Sequence, residues 1–541
     1  MNSKLKYILS SIPFKIGFFL LILFYTTWRV FRGLDFTDTY YWLSIESSSS
    51  VMTEGFSVVV KLLSDVFGKE LYVYRLFSWF LIVLSLLFPY LLLQKKDKWI
   101  YNLHYLFLGL ICITSFPIFN PDSFTIFLFS LGLTFFVKFI QYTNRYVYLV
   151  ALAVFAAVSV FFRFPNILLF PVMILLLSLM PFFTDEKKWR IKKVLKNEIL
   201  FVITYLLVFV CIALMLHGTE YIEKMQQSFS SGAQGAHSID SMLSFIQRDF
   251  SKIVFYVAFC FLMREFCCYY DTIKIVKWKV FIGGAIVLFF VFIIRYNMIV
   301  SAYQWQLRLF LCSILLYIMI LDVFKTNKNL LFYLSIISFA FVSAAGSDTG
   351  LAKMLPILLC CLPFVLSKTR FNVYRNIVTL LLVIVLHLIV LFEFHENFED
   401  IRRPHRATQS IKVDNLKHIK TTQERAVFIE NVLAEYYTLK NDSTRVVFFG
   451  QNAHIFRYLT NEETIYKSSF RMKFSSDFLE LENVILEYNP IVFHTPSYPE
   501  EYSYDSNTML DSILSKENYT EIIKDKYRIF MPNKECYLDI D

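Results

Sequence analysis

Two carboxylates define the chemistry this chain could do. Asp35 and Asp38 stand three residues apart in Arg32-Gly33-Leu34-Asp35-Phe36-Thr37-Asp38-Thr39-Tyr40-Tyr41, directly behind the first long apolar run. A carboxylate within hydrogen-bond reach of a hydroxyl can orient it and take its proton, and partial desolvation makes it a stronger base. The plainer role is to cap the next helix or to meet interfacial water. Two acids beside Tyr40, Tyr41 and Trp42 bring the chemical reading level with that one.

Arg163 and Arg295 are the second group of interest, each at the end of an apolar run. A charge at mid-membrane costs about 2.5–3.5 kcal/mol on insertion scales and less near the interface. A phosphate is the natural partner, because the guanidinium fork matches its oxygens bidentately. Snorkelling to lipid headgroups is the alternative. Asn120, Asp122 and Asp348 complete the candidates. Asp122 in Asn-Pro-Asp-Ser and Asp348 in Gly-Ser-Asp-Thr-Gly precede apolar runs and read first as helix N-caps. His217 and His237 read as surface residues. Eight of the nine cysteines fall in or beside apolar runs, where thiols behave as small hydrophobes, and Cys536 alone lies in the tail. No Cys/His spacing suggests zinc, and no metal ligand is assigned.

The elements that position these residues follow from composition. The chain is 56% hydrophobic with 59 Phe, and its mean hydropathy is +0.52. A bilayer core needs roughly 20 apolar residues per helical span, and such runs recur up to residue 395. About thirteen spans are expected, near 13–31, 73–93, 100–119, 122–140, 146–162, 165–183, 199–216, 251–267, 280–298, 305–324, 330–345, 351–367 and 377–395. The basic N-terminal segment Met1–Tyr7 has no small-residue cleavage site behind its apolar run, so no cleavable signal is read.

Residues 1–395 carry 35 Lys and Arg against 20 Asp and Glu, while residues 396–541 carry 18 against 24. The positive charge lies in short loops, which is orientation chemistry rather than nucleic-acid binding. One set of alternate loops, with Lys4 and Lys6, holds 20 Lys and Arg, including Lys95, Lys187, Lys188, Lys274 and Lys325; the other holds about seven. The first set is therefore cytoplasmic. The N-terminus is then inside, and Asp35, Asp38, Asn120, Asp122, Arg163, Arg295, Asp348 and the tail are outside.

The first outer loop, residues 32–72, carries its own periodicity. Phe56, Val59, Val60, Leu63 and Phe67 recur at helical spacing opposite Ser57, Lys61, Ser64 and Asp65, which predicts an amphipathic helix in the interface. The tail, residues 396–541, reads as a soluble α/β domain. Helices are expected at Gln423–Lys440, His454–Leu459, Asp477–Tyr488 and Thr508–Ser515. Strands are expected at Arg445–Gly450, Ile491–His494 and Tyr527–Met531, in a partly parallel sheet.

These features resemble the GT-C superfamily of integral-membrane glycosyltransferases, which includes protein O-mannosyltransferases and the lipid A aminoarabinose transferase. Three features carry the resemblance. The acidic first loop Asp35–Tyr41 is followed by an interfacial helix. Phe67-Gly68-Lys69-Glu70-Leu71-Tyr72-Val73-Tyr74-Arg75-Leu76 is similar to the passage entering the second span of many members. Many spans, breaks such as Arg163–Asn166 and a C-terminal outer α/β domain complete the likeness. Two departures stand beside these. The acids are two Asp rather than an Asp-Glu pair, and Met52-Thr53-Glu54-Gly55 replaces the family's His-Pro-Pro segment.

The resemblance implies a polytopic α-helical membrane enzyme, with residues 1–395 catalytic and residues 396–541 extracytoplasmic, and the Phe/Ile/Lys/Asn-rich usage points to a bacterial inner membrane. The donor would be a polyprenyl-phosphate sugar and the acceptor a lipid, glycan or protein hydroxyl. Asp38 or Asp35 would be the base, and Arg163 or Arg295 would meet the lipid phosphate. No cofactor is fixed by it, and a divalent cation is left open. The competing classes are a membrane polysaccharide polymerase or ligase, and a lipid or polysaccharide transporter. A transporter would want mid-membrane charges, Gly/Pro-broken helices and repeated halves, whereas Gly is 14 of 541 residues and no repeat is found.

Overall fold

The computed structural model describes residues 12–34, 38–44, 53–93, 118–183, 191–221, 239–272, 303–326, 329–345, 350–362, 404–441, 444–450, 452–461, 475–495, 510–515 and 519–533, with single positions between them. Among these, five helices are long and apolar enough to cross a membrane: Ile12–Val30, Leu71–Leu93, Pro121–Gln141, Phe164–Phe183 and Lys192–Leu216. Shorter apolar helices at Tyr146–Phe162, Leu330–Ala344 and Gly350–Cys360 pack with them, as do the helices Ile239–Thr272 and Tyr303–Thr326. The expected spans at 280–298 and 377–395, and nearly all of 100–119, lie outside the described residues.

Small residues let the helices approach closely, as packing without a hydrophobic driving force in lipid requires. Ala153, Ala156 and Ala157 of Tyr146–Phe162 are buried at 1% exposure or less. A Cβ on Gly132 of the neighbouring Pro121–Gln141 helix would already touch Leu152 and Phe339, both at 3.4 Å. The opposite surfaces stay apolar. Leu206, Leu207, Val210, Leu214 and Met215 of Ile191–His217 are all exposed, and only 17% of that helix's apolar stretch is buried. In water such a surface would drive association; in a bilayer, lipid covers it.

The first loop folds into two helices, Asp38–Ser44 and Glu54–Phe67. Phe56, Val60 and Leu63 face inward as the periodicity predicts. Phe67 does not: it is 59% exposed and joins Val58, Leu62 and Val66 on an outward row. The helix also starts one half-turn before the expected position, at Glu54, where Gly55 lies against Phe161. A Cβ there would come within 3.1 Å of the Phe161 carbonyl oxygen. The helix is thus apolar on two faces, one against protein and one open beside Lys61 and Asp65.

In the tail, β1 (Gln409–Ser410) pairs antiparallel with β2 (Lys420–Thr421). β3 (Val446–Phe449) pairs in parallel with β4 (Ile491–His494), in register from Val446 opposite Ile491 to Phe449 opposite His494. β6 (Arg528–Pro532) adds antiparallel to β4, and β5 (Tyr519–Ile523) adds antiparallel to β6, giving the order β3-β4-β6-β5. β3 and β4 are buried throughout, as their unbroken apolar runs require. β5 has no counterpart in the sequence reading, because Tyr519–Ile523 alternates only weakly and is mostly open to solvent. Helices Gln423–Leu439, Ala453–Thr460 and Ser475–Tyr488 cover the sheet.

His494 ends β4 at 2% exposure. Its Nδ1 accepts from Arg528, with Nη2 at 3.1 Å, and Arg528 also donates to Asp511 at 2.8 Å and to Glu521 at 3.0 Å. Burial, and then the Arg528 charge, push the imidazole down to about 3. The ring is neutral in the folded tail.

Candidate active site

The helix Pro121–Gln141 begins with the sequence Asn-Pro-Asp-Ser, and its cap falls on Asn120 rather than on Asp122. Asn120 Oδ1 accepts from the Ser123 amide at 3.3 Å, and Pro121 occupies the first position, where a missing amide hydrogen does no harm. The expected capping role of Asp122 is therefore corrected: Asn is the better-placed cap, and Asp122 is released one residue into the first turn. Its carboxylate instead meets two cations. Oδ2 lies 2.7 Å from Lys353 Nζ, and Oδ1 lies 3.5 Å from Arg163 Nε. Ser123 is fixed in turn by a 2.6 Å hydrogen bond shared with Ser78.

Arg163 ends the Tyr146–Phe162 helix in extended backbone. Its side chain is almost wholly buried and turns to the C-terminus of Leu330–Ala344. Nη1 donates to the Ser343 carbonyl at 2.8 Å, and Nη2 to the Ala345 carbonyl at 2.6 Å. A helix leaves its last carbonyls without intrahelical donors and carries partial negative charge there, so a guanidinium fork suits the position. Of the two arginines read as phosphate partners, Arg163 thus gives both terminal nitrogens to main-chain carbonyls. Arg295 lies outside the described residues.

Lys353 belongs to the 3-10 turn Gly350–Met354, which is held from below by Asp249. Asp249 Oδ2 accepts from the Leu351 amide at 3.0 Å, and Oδ1 pairs with Arg248 Nε at 3.0 Å. Gly350 is required there: its φ is +62°, and a Cβ would come within 2.1 Å of Asp249 Oδ2. Arg308, in the first turns of Tyr303–Thr326, adds a third positive charge within electrostatic reach of Asp122. Among the described residues, Arg163, Lys353, Arg308, Arg248 and Lys252 stand against Asp122 and Asp249, a surplus of three positive charges. Asp122 and Lys353 are each about a quarter exposed, so the open side of the cluster is the Asp122–Lys353 pair.

Asp38 opens the helix Asp38–Ser44; its side chain, and all of Asp35 and Asp348, lie outside the described residues. That short helix is at the same end of the bundle as the cluster. Trp42 meets Phe56 edge-on at 6.0 Å, and Phe56 packs on Phe119 at 4.8 Å and on Phe124 at 5.7 Å. Phe124 is two residues from Asp122. Burial raises the Tyr41 phenol above its ordinary range. Among the described residues no three His, Cys, Asp or Glu converge as a metal-binding group.

Sequence reasoning missed Lys353, Arg308 and Asp249. A signal was there for the first: Lys353 interrupts an apolar run, and a charge inside such a run is a functional candidate by default. Arg308 reads like any flanking cation, and Asp249 like a loop acid, until the fold brings them together. The arrangement can hold an anion at the bundle end that also carries the Asp38–Ser44 helix.

No family model matches this chain, and no curated protein is similar to it in sequence. Among solved structures it is similar to the crystal structure of ArnT from Cupriavidus metallidurans in the apo state, at 12% identity over 95% of this chain and 98% of that one, with a TM-score of 0.39. A likeness that distant carries no argument.

Proposed function

We propose that the protein is a membrane glycosyltransferase, moving a sugar from a polyprenyl-phosphate donor to an acceptor hydroxyl at the extracytoplasmic face. The observation that carries this reading is the surplus-positive cluster of Lys353, Arg308, Arg163 and Asp122 at the same bundle end as the Asp38–Ser44 helix. In it the donor's polyprenyl chain lies among the apolar helices, and its phosphate meets Lys353 and Arg308. Arg163 adds its charge to the field while holding Asp122 in place.

Asp38 or Asp35 takes the acceptor's proton as the hydroxyl oxygen bonds to the anomeric carbon. The bond from that carbon to the phosphate oxygen breaks, its electron pair stays on the phosphate, and the configuration inverts. A phosphate monoester has its second pKa near 6, so the leaving lipid phosphate needs no proton at pH 7. Fixed cations stabilise its growing charge without reorganisation. Loop charge supports a cytoplasmic N-terminus and an outward tail, and the Phe/Ile/Lys/Asn-rich usage supports a place in a bacterial inner membrane; residues 1–395 would hold the chemistry. The acceptor would be a lipid, a glycan or a protein.

The test is consumption of a radiolabelled polyprenyl-phosphate sugar pool by membranes holding wild type, Asp35→Asn, Asp38→Asn or Lys353→Met at matched expression. The reading expects one Asp variant to stop transfer while still binding donor, and Lys353→Met to weaken donor binding. Wild-type membranes that consume no donor, with and without added divalent cation, would move the transporter or polymerase reading ahead.

A further inference from the structure

The tail grips the first loop at residues 31–34 and again at the Asp38–Ser44 helix. Before Asp35, Lys420 of β2 (Lys420–Thr421) forms a parallel bridge with Arg32. Its carbonyl accepts from the Gly33 amide at 2.8 Å, and its amide donates to the Phe31 carbonyl at 3.0 Å. Arg32 Nη1 donates to the Ala407 carbonyl, and Arg425 Nη1 donates to the Leu34 carbonyl at 3.0 Å, one residue from Asp35. Arg75, fully buried, holds the same strand from the bundle side through the Gly33 carbonyl at 2.7 Å.

After Asp38, the helix Ala453–Thr460 lies on Asp38–Ser44. Tyr458 meets Tyr40 at 5.6 Å, and His454 meets Tyr41 edge-on at 5.1 Å. Burial, helped by Arg457, keeps His454 neutral. The loop's far end is tied as well: Tyr458 donates its hydroxyl hydrogen to the Lys69 carbonyl, and Lys69 Nζ reaches Asn461 Oδ1 at 2.6 Å. Leu34, Tyr40, Leu43 and Phe56 share one apolar core with Ile419 and Phe456 of the tail.

One face of the tail's sheet has a core of its own around Val447, Phe449 and Leu481, but the other face shares its core with the first loop. Lys420 gives Phe31 and Gly33 backbone partners that no other described strand supplies. We propose that the tail is the positioning element for residues 31–34 and 38–44, the segments on either side of Asp35. Arg425 and Lys420 form one jaw and the Ala453–Thr460 helix the other, so tail seating limits the transfer rate without altering how the bundle cluster binds donor. Arg425 and Tyr458 are positioning residues, acting on the loop through backbone and aromatic contacts. The rate half of this proposal rests on the glycosyltransferase reading; the grip itself does not.

The experiment uses the full chain in nanodiscs, with Arg425→Gln, Arg425→Lys and Tyr458→Phe. Hydrogen exchange of residues 31–34 and 38–44 is measured beside that of Tyr146–Phe162, together with donor KM and turnover. Removing a charged hydrogen bond to a buried carbonyl predicts a turnover loss of about tenfold or more in Arg425→Gln, with donor KM unchanged, faster exchange in both loop segments and no change in the bundle. Arg425→Lys restores part of the turnover, which a general folding defect would not allow. Tyr458→Phe keeps the proposal testable if Arg425→Gln fails to fold, since it deletes one hydroxyl. Loop exchange that stays at wild-type rates in the folded variants overturns the grip. Loosened loops with unchanged turnover overturn the positioning role. A wild type without transfer activity removes the glycosyltransferase reading and leaves the exchange result to decide the grip.

Discussion

Arg163→Lys separates two roles that a positive charge could play at this position. In the structure Arg163 satisfies two carbonyls at once, Ser343 at 2.8 Å and Ala345 at 2.6 Å, and keeps Nε toward Asp122. A lysine ammonium can sit at one pole of that arrangement but not at all three, because it is a point charge on a flexible stem. Each buried carbonyl left without a donor costs about 1–3 kcal/mol, while hydrogen bonds between helices in lipid average nearer 0.6 kcal/mol. For two carbonyls the loss is about 1–6 kcal/mol. Unfolding entropy of about 2.1 cal/mol/K per residue, over a chain this long, converts that to a midpoint shift of roughly 1–5 °C. Scanning fluorimetry of the detergent-held protein should put Arg163→Lys within about a degree of Arg163→Met, both below wild type. Binding of a polyprenyl phosphate should fall less than about tenfold in either, since a screened charge is worth about 1 kcal/mol. If lysine instead restores wild-type stability, and methionine abolishes lipid-phosphate binding, Arg163 is a phosphate contact and its carbonyl contacts are incidental.

Lys353→Met, which removes the open cation of the cluster, should lower transfer by about a hundredfold or more, the usual cost of losing one preorganised charge-stabilising donor, and wild-type rates would exclude it from the site. Gly350→Ala should destabilise the protein by about 1–3 kcal/mol, because its Cβ displaces Asp249 from the Leu351 amide; a thermal midpoint equal to wild type would refute that. Tail stability should fall as pH drops from 7. His494 titrates at about 3 when folded and near 6.5 when unfolded, so within that window only the unfolded tail takes up a proton. The expected loss from His494 is about 2 kcal/mol by pH 5, read from denaturation midpoints at the two pH values; His454, held neutral by burial in the same tail, adds to the slope, so His494→Phe should reduce the dependence and leave the His454 share. Leu62→Asp with Val66→Asp should weaken docking of the Glu54–Phe67 helix on anionic vesicles, measured by spin-label depth at Val58, and unchanged depth would show that its outward apolar row meets no lipid.

How much was legible in the sequence depended on how local the physics was. The helices Leu71–Leu93, Pro121–Gln141 and Phe164–Phe183 follow from apolar run length alone, because a helix satisfies its own backbone and needs no partner to be recognised. β3 and β4 were equally plain as short unbroken apolar runs, whereas β5 was not, since an exposed edge strand has no hydrophobic pattern to betray it. The buried face of Glu54–Phe67 was readable from its period, but the outward turn of Phe67 was not. By itself the sequence determined the apolar helices, the charge asymmetry of the loops and the chemical promise of Asp35, Asp38 and Arg163. Only the tertiary structure decided that Asn120 caps while Asp122 pairs with Lys353, that Arg163 clamps a distant helix end, and that Arg425 and Lys420 close on residues 31–34 some 390 residues earlier. Those contacts join segments far apart in the chain, and no local propensity records which carbonyl a buried cation will find.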